Sequence, residues 1–173
     1  PTSELASMSV TDEAAASLAA SLLTALAGRE WSLATAESLT GGLLAGTIVS
    51  VPGASASFRG GVVAYATPIK HSLVGVDAGL LARHGAVSAE TAAAMAEGAR
   101  VALTIDEAPA TVGLATTGVA GPDEQEGHPV GTVFIACAGP AGTHVTQLQL
   151  SGGREEIRMS CVIETLRLAV STL

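Results

Sequence analysis

Apolar positions along the chain recur at two spacings, one typical of helices and one typical of strands. Leu18, Leu22 and Leu26 share one face of a helix that Gly28 would end, while short apolar runs between glycines and prolines indicate strands. The pattern predicts strands at residues 31–36, 60–65, 109–116, 131–138 and 143–150. It predicts helices at residues 11–28, 42–50 and 77–84, from residue 67, from residue 88, and at 154–172.

Helices and strands alternating in this order predict an α/β fold with a mixed sheet. The length of 173 residues fits one domain, which we expect to span residues 1–173. Hydrophobic residues make up 48% of the chain but aromatic residues only 2%. The core must therefore be filled by alanine, valine, leucine and closely packed glycine.

The charge and hydropathy of the chain exclude several kinds of partner. A net charge of −8 argues against nucleic acid, which attracts clustered Lys and Arg. The mean hydropathy is +0.47, but the charge-free run 38–58 is too rich in glycine and proline for a membrane span. Glu4 and other acids precede the first basic residue, Arg29, so no signal peptide is predicted. We expect a cytoplasmic protein with Cys137 and Cys161 as reduced core thiols.

The first segment that could carry chemistry joins a predicted strand to a predicted helix through Ser38, Thr40, Gly41 and Gly42. The free N–H groups of such a helix could bind a phosphate or carboxylate. They could also form an oxyanion hole for Ser38 acting as a nucleophile. The structural alternative is that Ser38 or Thr40 only caps the helix.

The second segment contains the one lysine of the chain, Lys70, and its one tyrosine, Tyr65. A lysine acts as a general base only when its pKa is lowered, and burial in a cleft at a strand end lowers it. Arginine is almost never deprotonated and cannot replace a lysine base. A solvated surface lysine is the alternative, which the use of arginine everywhere else in the chain weakens.

The third segment joins a predicted strand to a glycine-rich loop. It offers two hydroxyl groups and two glycines that let backbone approach a ligand, at Thr116, Thr117, Gly118 and Gly121. An ordinary exit from a strand is the alternative. Ligands of such sheets collect beyond the carboxyl ends of the strands, so we expect the three segments to converge in one cleft. Arg154 and Arg158 would bind an anion there or begin a solvated helix.

Six short blocks of this sequence, in order, resemble the carboxy-terminal domain of the competence/damage-inducible protein CinA. They are AESLTGG at 36–42, GGVVAY at 60–65 with Lys70, HGAVS at 84–88, TGVAGP at 117–122, PVGTV at 129–133 and GREEIR at 153–158. The resemblance implies a three-layer α/β/α sandwich. It also implies a nicotinamide-nucleotide amidase, which converts nicotinamide mononucleotide to nicotinate mononucleotide and ammonia.

The same resemblance assigns roles to individual residues. It places the nucleophilic serine at Ser38 and the lysine at Lys70, with Tyr65 and Thr117 lining the site and Arg154 as a further candidate. Two positions depart from the family pattern, which usually has Cys where this chain has Leu39 and Asn where it has Thr67. Leu39 would alter packing, and Thr67 would alter substrate preference or activity.

From these residues we expect an amidase that needs neither a metal nor an organic cofactor, since serine and lysine supply nucleophile and base. The scattered histidines have no metal-ligand spacing. The partner would be a small nucleotide substrate, and so apolar a chain is expected to form a homo-oligomer. The alternative function is a binding module of the same family that holds a nucleotide or a protein without catalysis. A flavin domain is a weaker alternative, because no aromatic residue is placed to stack on the ring.

Overall fold

The computed structural model describes residues 10–173, so Glu4 lies outside the described residues. The helices are α1 (Val10–Ala27), α2 (Leu43–Val49), α3 (Thr67–Ser72), α4 (Ala78–His84), α5 (Ala89–Ala102) and α6 (Arg154–Thr172). The strands are β1 (Leu33–Glu37), β2 (Phe58–Val63), β3 (Val112–Gly118), β4 (Thr132–Gly139) and β5 (Gly142–Gln149). Each predicted helix and strand is present. The main difference is β3, which continues through Thr117 and Gly118 because both pair with β4.

The strands form one sheet in the order β2-β1-β3-β4-β5. β1 runs parallel to both of its neighbours, β2 and β3, whereas β4 and β5 are antiparallel additions. The predicted mixed sheet is therefore confirmed. Because β1, β2 and β3 point the same way, their carboxyl ends lie at one edge of the sheet, where the three candidate segments begin.

Side chains alternate between the two faces of the sheet and so divide the core into two main layers of contact. On one face Ala34, Ala36 and Ala115 pack against α5. On the other face Leu33 and Leu114 pack against α1, α2 and α6. The result is the three-layer α/β/α sandwich that the resemblance implies. Cys137 and Cys161 are buried and free, as predicted.

Helix α1 lies in the outer layer and turns one apolar side toward α6. Its buried residues recur at helical spacing: Ala15, Ala19, Leu22, Leu23 and Leu26. Among the described residues, α1 is also the one helix long and apolar enough to cross a membrane by length and composition alone. The expectations about membrane and location therefore stay predictions.

Helix α5 packs on the sheet at backbone distance because glycine and alanine line the contact. A Cβ atom added at Gly113 of β3 would lie 2.0 Å from the carbonyl oxygen of Ala96 in α5. A Cβ atom added at Gly98 would lie 1.9 Å from the carbonyl oxygen of Val74. Both distances are far inside van der Waals contact, so α5 approaches β3 and the segment at Val74 this closely only with glycine at the two positions.

We predict that Gly113→Ala destabilises the protein by at least about 2 kcal/mol, because the backbone of α5 must shift to admit the methyl group. For a chain of this length such a loss lowers the midpoint of thermal unfolding by roughly 4 to 8 °C. Gly139→Ala is the matched control, since a Cβ atom there would be 3.7 Å from its nearest neighbour, Val112 Cγ2. Equal midpoints for the two variants in calorimetry would contradict this account of the packing.

Candidate active site

Three strand ends meet at the carboxyl edge of the sheet and bring the candidate segments together. Ser38 follows β1 directly and its N–H donates to Thr116 O at 2.9 Å. Ala64 follows β2, and its N–H donates to Glu37 O at 2.8 Å. These two hydrogen bonds extend the parallel pairing beyond the strands and fix the backbone on either side of Ser38.

Lys70 lies in the last turn of the short helix α3 and points back under the end of β2. Its Nζ donates to Ser38 Oγ at 3.0 Å and to Ala64 O at 2.8 Å, with a longer contact to Tyr65 O at 3.4 Å. The residue is 1% exposed, and Ser38 is 8% exposed. The surface-lysine alternative is therefore wrong: Lys70 is a core residue whose amine is held by three oxygen atoms.

Burial lowers the pKa of Lys70 from its ordinary 10.5 to about 8, and the negative charge of Glu126 opposes this effect. A measurable fraction of the amine is therefore neutral near pH 7. In the neutral form two N–H bonds remain for the carbonyls of Ala64 and Tyr65, and the nitrogen lone pair is left for the hydroxyl proton of Ser38. This arrangement suits a general base for Ser38.

A cavity of about 330 Å³ opens beside the hydroxyl of Ser38. Six residues predicted for the site line it: Ser38, Tyr65, Thr117, Gly118, Gly121 and Arg154. The wall and rim are completed by Leu39, Ala86, Val87, Val119, Ala120 and residues 122–125. Within residues 10–173 no group of three or more His, Cys, Asp and Glu side chains could hold a metal ion.

Tyr65 and Arg154 form one side of the cavity. Arg154 donates to the hydroxyl oxygen of Tyr65 at 3.2 Å and also to Gly121 O. Tyr65 is 61% exposed, so its ring forms part of the mouth rather than of the core. The guanidinium group is the one lining cation of the cavity in the described chain.

The expected role of the α2 N-terminus needs correction, because its donors are already occupied. The buried carboxylate of Glu37 accepts hydrogen bonds from Gly42 N at 3.0 Å, Leu44 N at 3.0 Å and Ala45 N at 2.8 Å. It also accepts from Thr40 Oγ1 at 2.7 Å. This internal cap replaces the anion that we expected there.

Four predicted binding residues consequently lie outside the cavity lining. Thr40 is fully buried, and its hydroxyl is also 2.8 Å from Thr116 Oγ1, so Thr116 faces Glu37 rather than the cavity. Gly41 donates its N–H to Ser38 O at 3.1 Å. Gly42 donates to Glu37, so neither glycine offers its N–H to a ligand. Thr40, Gly41, Gly42 and Thr116 shape the turn that carries Ser38 and do not line the site.

Glu37 organises the turn that carries Ser38, and the sequence analysis did not single it out. The sequence does carry a sign of this role, because an acidic residue ends an otherwise apolar strand just before the Gly-Gly start of a helix. Arg158, the second candidate arginine, supports the same turn by donating to Leu39 O at 3.0 Å and Thr40 O at 2.9 Å. It therefore positions the turn, whereas Arg154 lines the cavity.

The other uncertain positions are resolved by their contacts. Thr117, not Thr116, lines the cavity, and its hydroxyl donates to Ala86 O at 2.6 Å. Leu39 is buried in an apolar cluster with Ile135 and Ile157. Thr67 begins α3, is half-buried and is not among the lining residues.

Fold and site together define an α/β sandwich protein with a buried serine–lysine pair at the carboxyl edge of its sheet. The CinA C-terminal domain model matches residues 15–173. The chain is 56% identical over 152 residues to a CinA-like protein of Frankia casuarinae. The matched region covers 88% of this chain and 34% of that protein. The chain belongs to the CinA C-terminal domain family.

Solved structures agree with this assignment. Competence/damage-inducible protein CihA from Agrobacterium tumefaciens has a TM-score of 0.86 at 33% identity, covering 95% of this chain and 98% of that one. A CinA superfamily protein from Escherichia coli has a TM-score of 0.86 at 30% identity, covering 98% and 96%. This chain spans only about a third of the length of the curated relatives it matches.

The burial of Lys70 predicts how stability depends on pH. In the unfolded chain the pKa of Lys70 is 10.5, whereas in the folded protein it is about 8. Between these values the unfolded chain holds a proton that the folded protein has released, so raising the pH favours folding. Below about pH 8 both states are protonated and the cost of burying the charge is fully present.

We therefore expect wild type to gain about 2 kcal/mol in unfolding free energy relative to Lys70→Met between pH 8 and pH 10. Urea unfolding of both proteins at the two pH values measures the difference, in which all other titrating groups cancel. The same pH dependence in the two proteins would mean that Lys70 keeps its ordinary pKa when the chain folds.

Proposed function

We propose that this domain hydrolyses the carboxamide of nicotinamide mononucleotide to nicotinate mononucleotide and ammonia. The observation that carries the proposal is the 3.0 Å hydrogen bond between Lys70 Nζ and Ser38 Oγ at the side of a cavity of about 330 Å³. Membership of the CinA C-terminal domain family supports it, since this is the activity that the resemblance implies.

The reaction proceeds through an ester on Ser38. The neutral amine of Lys70 takes the hydroxyl proton while Ser38 Oγ attacks the carboxamide carbon. The tetrahedral intermediate collapses, its C–N bond breaks, and the Lys70 ammonium returns the proton to the leaving ammonia. A water molecule, deprotonated by the same amine, then attacks the ester carbon. The acid leaves, and Ser38 recovers its proton.

The oxyanion would be stabilised by the N–H group of Leu39, the residue that follows Ser38 and lines the cavity. Gly41 and Gly42, which follow, already donate to Ser38 O and to Glu37. In the described part of the chain the N–H group of Leu39 makes no hydrogen bond to a protein acceptor. The N–H next to a nucleophile is well placed for an oxyanion, and losing one such donor typically costs about 100- to 1,000-fold in rate.

The cavity has charges that suit this substrate. Its volume of about 330 Å³ lies at the lower end of the range for small-molecule sites. Arg154 is available for the phosphate group, since a guanidinium has five N–H donors. Asp123 and Glu124 line the same cavity and complement the positive charge of the pyridinium ring.

We expect Ser38→Ala and Lys70→Arg each to lower the rate of ammonia release from nicotinamide mononucleotide by at least about 1,000-fold. The serine variant lacks the nucleophile, and the arginine variant keeps the charge but cannot act as a base. Ser50→Ala is the matched control, because Ser50 is an exposed residue that directly follows α2 and its hydroxyl donates to Thr47 O, away from the cavity. Both site variants retaining the wild-type rate would show that the pair is not catalytic.

Binding without turnover is the competing outcome of the same experiment. Calorimetric titration of the wild type with nicotinamide mononucleotide, run beside the ammonia assay, separates the two. Tight binding with no ammonia release would support the binding module of the same family and would overturn the proposed hydrolysis.

The rate should also depend on pH, because only the neutral amine of Lys70 accepts the serine proton. We expect kcat/KM to rise with pH through an apparent pKa of about 8 and to level off above it. At pH 7 the rate constant would be about one tenth of the plateau. A profile that is flat from pH 6 to pH 9 would be inconsistent with Lys70 as the base.

A further inference from the structure

One wall of the cavity is held by a carboxylate from a loop far away in sequence. Glu126 Oε2 accepts hydrogen bonds from Ala86 N at 2.8 Å and from Val87 N at 3.3 Å, 40 and 39 residues earlier in the chain. Ala86 and Val87 both line the cavity. Glu126 itself is not a lining residue, so it acts on the site through the backbone of this wall.

The carbonyl side of the same wall is fixed as well. Thr117 Oγ1 donates to Ala86 O at 2.6 Å, and Thr91 Oγ1 donates to Gly85 O at 2.7 Å. The carboxylate of Glu126 packs so closely that a Cβ atom at Gly85 would lie 2.5 Å from its Oε2. Residues 85–87 are thus clamped from both sides of the backbone.

Glu126 also has a backbone conformation that is unfavourable for its residue type. Its φ is +52°, in the left-handed region where residues other than glycine, asparagine and aspartate are rare. Gly127, the next residue, also has a positive φ of +77°. Gln125 and His128 exchange backbone hydrogen bonds on either side of this pair, so the two positive φ values are those of a tight two-residue turn, which fixes where the side chain of Glu126 leaves the backbone.

Charge is the second route by which Glu126 reaches the site. The polar contacts of Lys70 are Ser38 Oγ and the carbonyl oxygens of Ala64 and Tyr65, all of which are uncharged. Burial lowers the pKa of Lys70 to about 8, and Glu126 is the charged group that works against this effect. A carboxylate near the amine favours its protonated form.

We propose that Glu126 is a positioning residue for the Ser38–Lys70 pair, acting through the Ala86–Val87 wall and through its negative charge. This inference rests on the proposed amide hydrolysis. Its two routes are separable, since Glu126→Gln keeps an oxygen acceptor for the wall and removes the charge, whereas Glu126→Ala removes both.

The charge route can be tested without any enzymatic assay. Lys70 is the one lysine of the chain, so protein labelled with ¹³Cε-lysine gives a single side-chain resonance that reports the protonation of this amine. Glu126→Gln should lower the pH midpoint of its titration by about half a unit, because a favourable charge is lost. Glu90→Gln is the matched control: this exposed acid lies in the first turn of α5, just after the wall, and its carboxylate faces His84 instead of the N–H groups of Ala86 and Val87.

The wall route is tested by steady-state ammonia release from nicotinamide mononucleotide. Glu126→Gln should keep KM within about threefold of wild type, and the rising limb of its pH profile should move to lower pH with the lysine titration. Glu126→Ala should raise KM at least about tenfold, since the wall loses its support. Proton spectra of each variant confirm that it is folded.

The outcomes distinguish this inference from the proposed function. A midpoint that moves by less than about 0.2 unit in Glu126→Gln overturns the charge route. An equal shift in Glu126→Gln and Glu90→Gln overturns it as well. A wild-type KM in folded Glu126→Ala overturns the wall route. If wild type releases no ammonia, the proposed function fails, while the lysine titration still decides whether Glu126 acts on Lys70.

Discussion

Lys70 is held in the interior by three oxygen atoms, and the candidate site depends on that arrangement. A lysine with 1% exposure is rare, because removing an ammonium group from water is costly unless it is paired. Here the partners are a hydroxyl and two backbone carbonyls, with no direct carboxylate contact. These hydrogen bonds hold the amine in place. They do not compensate fully for the water that the ammonium form loses on burial, so the pKa of Lys70 is lowered.

The parallel strands explain why these atoms meet. β1 delivers Ser38, and β2 delivers the carbonyls of Ala64 and Tyr65, at the same edge of the sheet. Glu37 then fixes the turn after β1 by accepting four hydrogen bonds from the segment that follows it. One buried acid organises the backbone around the nucleophile, and one buried base lies against its side chain.

Much of this fold could be predicted from the sequence, because helical and strand spacing are local properties. The order of elements, the mixed sheet and the convergence of three strand ends followed from that spacing and from the resemblance. Lys70 was singled out by composition, as the one lysine beside the one tyrosine. Its depth of burial and its 3.0 Å approach to Ser38 Oγ depend on how α3 folds back under β2, which no local pattern contains.

The features that could not be predicted share one physical cause. Gly42 looked available to a ligand because the sequence cannot show that the side chain of Glu37 turns back onto the next helix. The sequence also cannot show that Glu126 pairs with the N–H groups of Ala86 and Val87, because these donors are about 40 residues away. In both cases a carboxylate accepts hydrogen bonds from backbone N–H groups of a different helix or loop. Such pairings are decided by tertiary packing rather than by the residues nearby.

A covalent intermediate on Ser38 is the most direct measure of whether the serine–lysine pair performs acyl transfer. Protein in excess over nicotinamide mononucleotide can be quenched in acid at successive times within one turnover, then digested and analysed by mass spectrometry. The account predicts an ester of nicotinate mononucleotide on the peptide that contains Ser38, rising and then decaying as the free acid appears. Complete conversion with no ester at any time, or with the adduct on another residue, would contradict it.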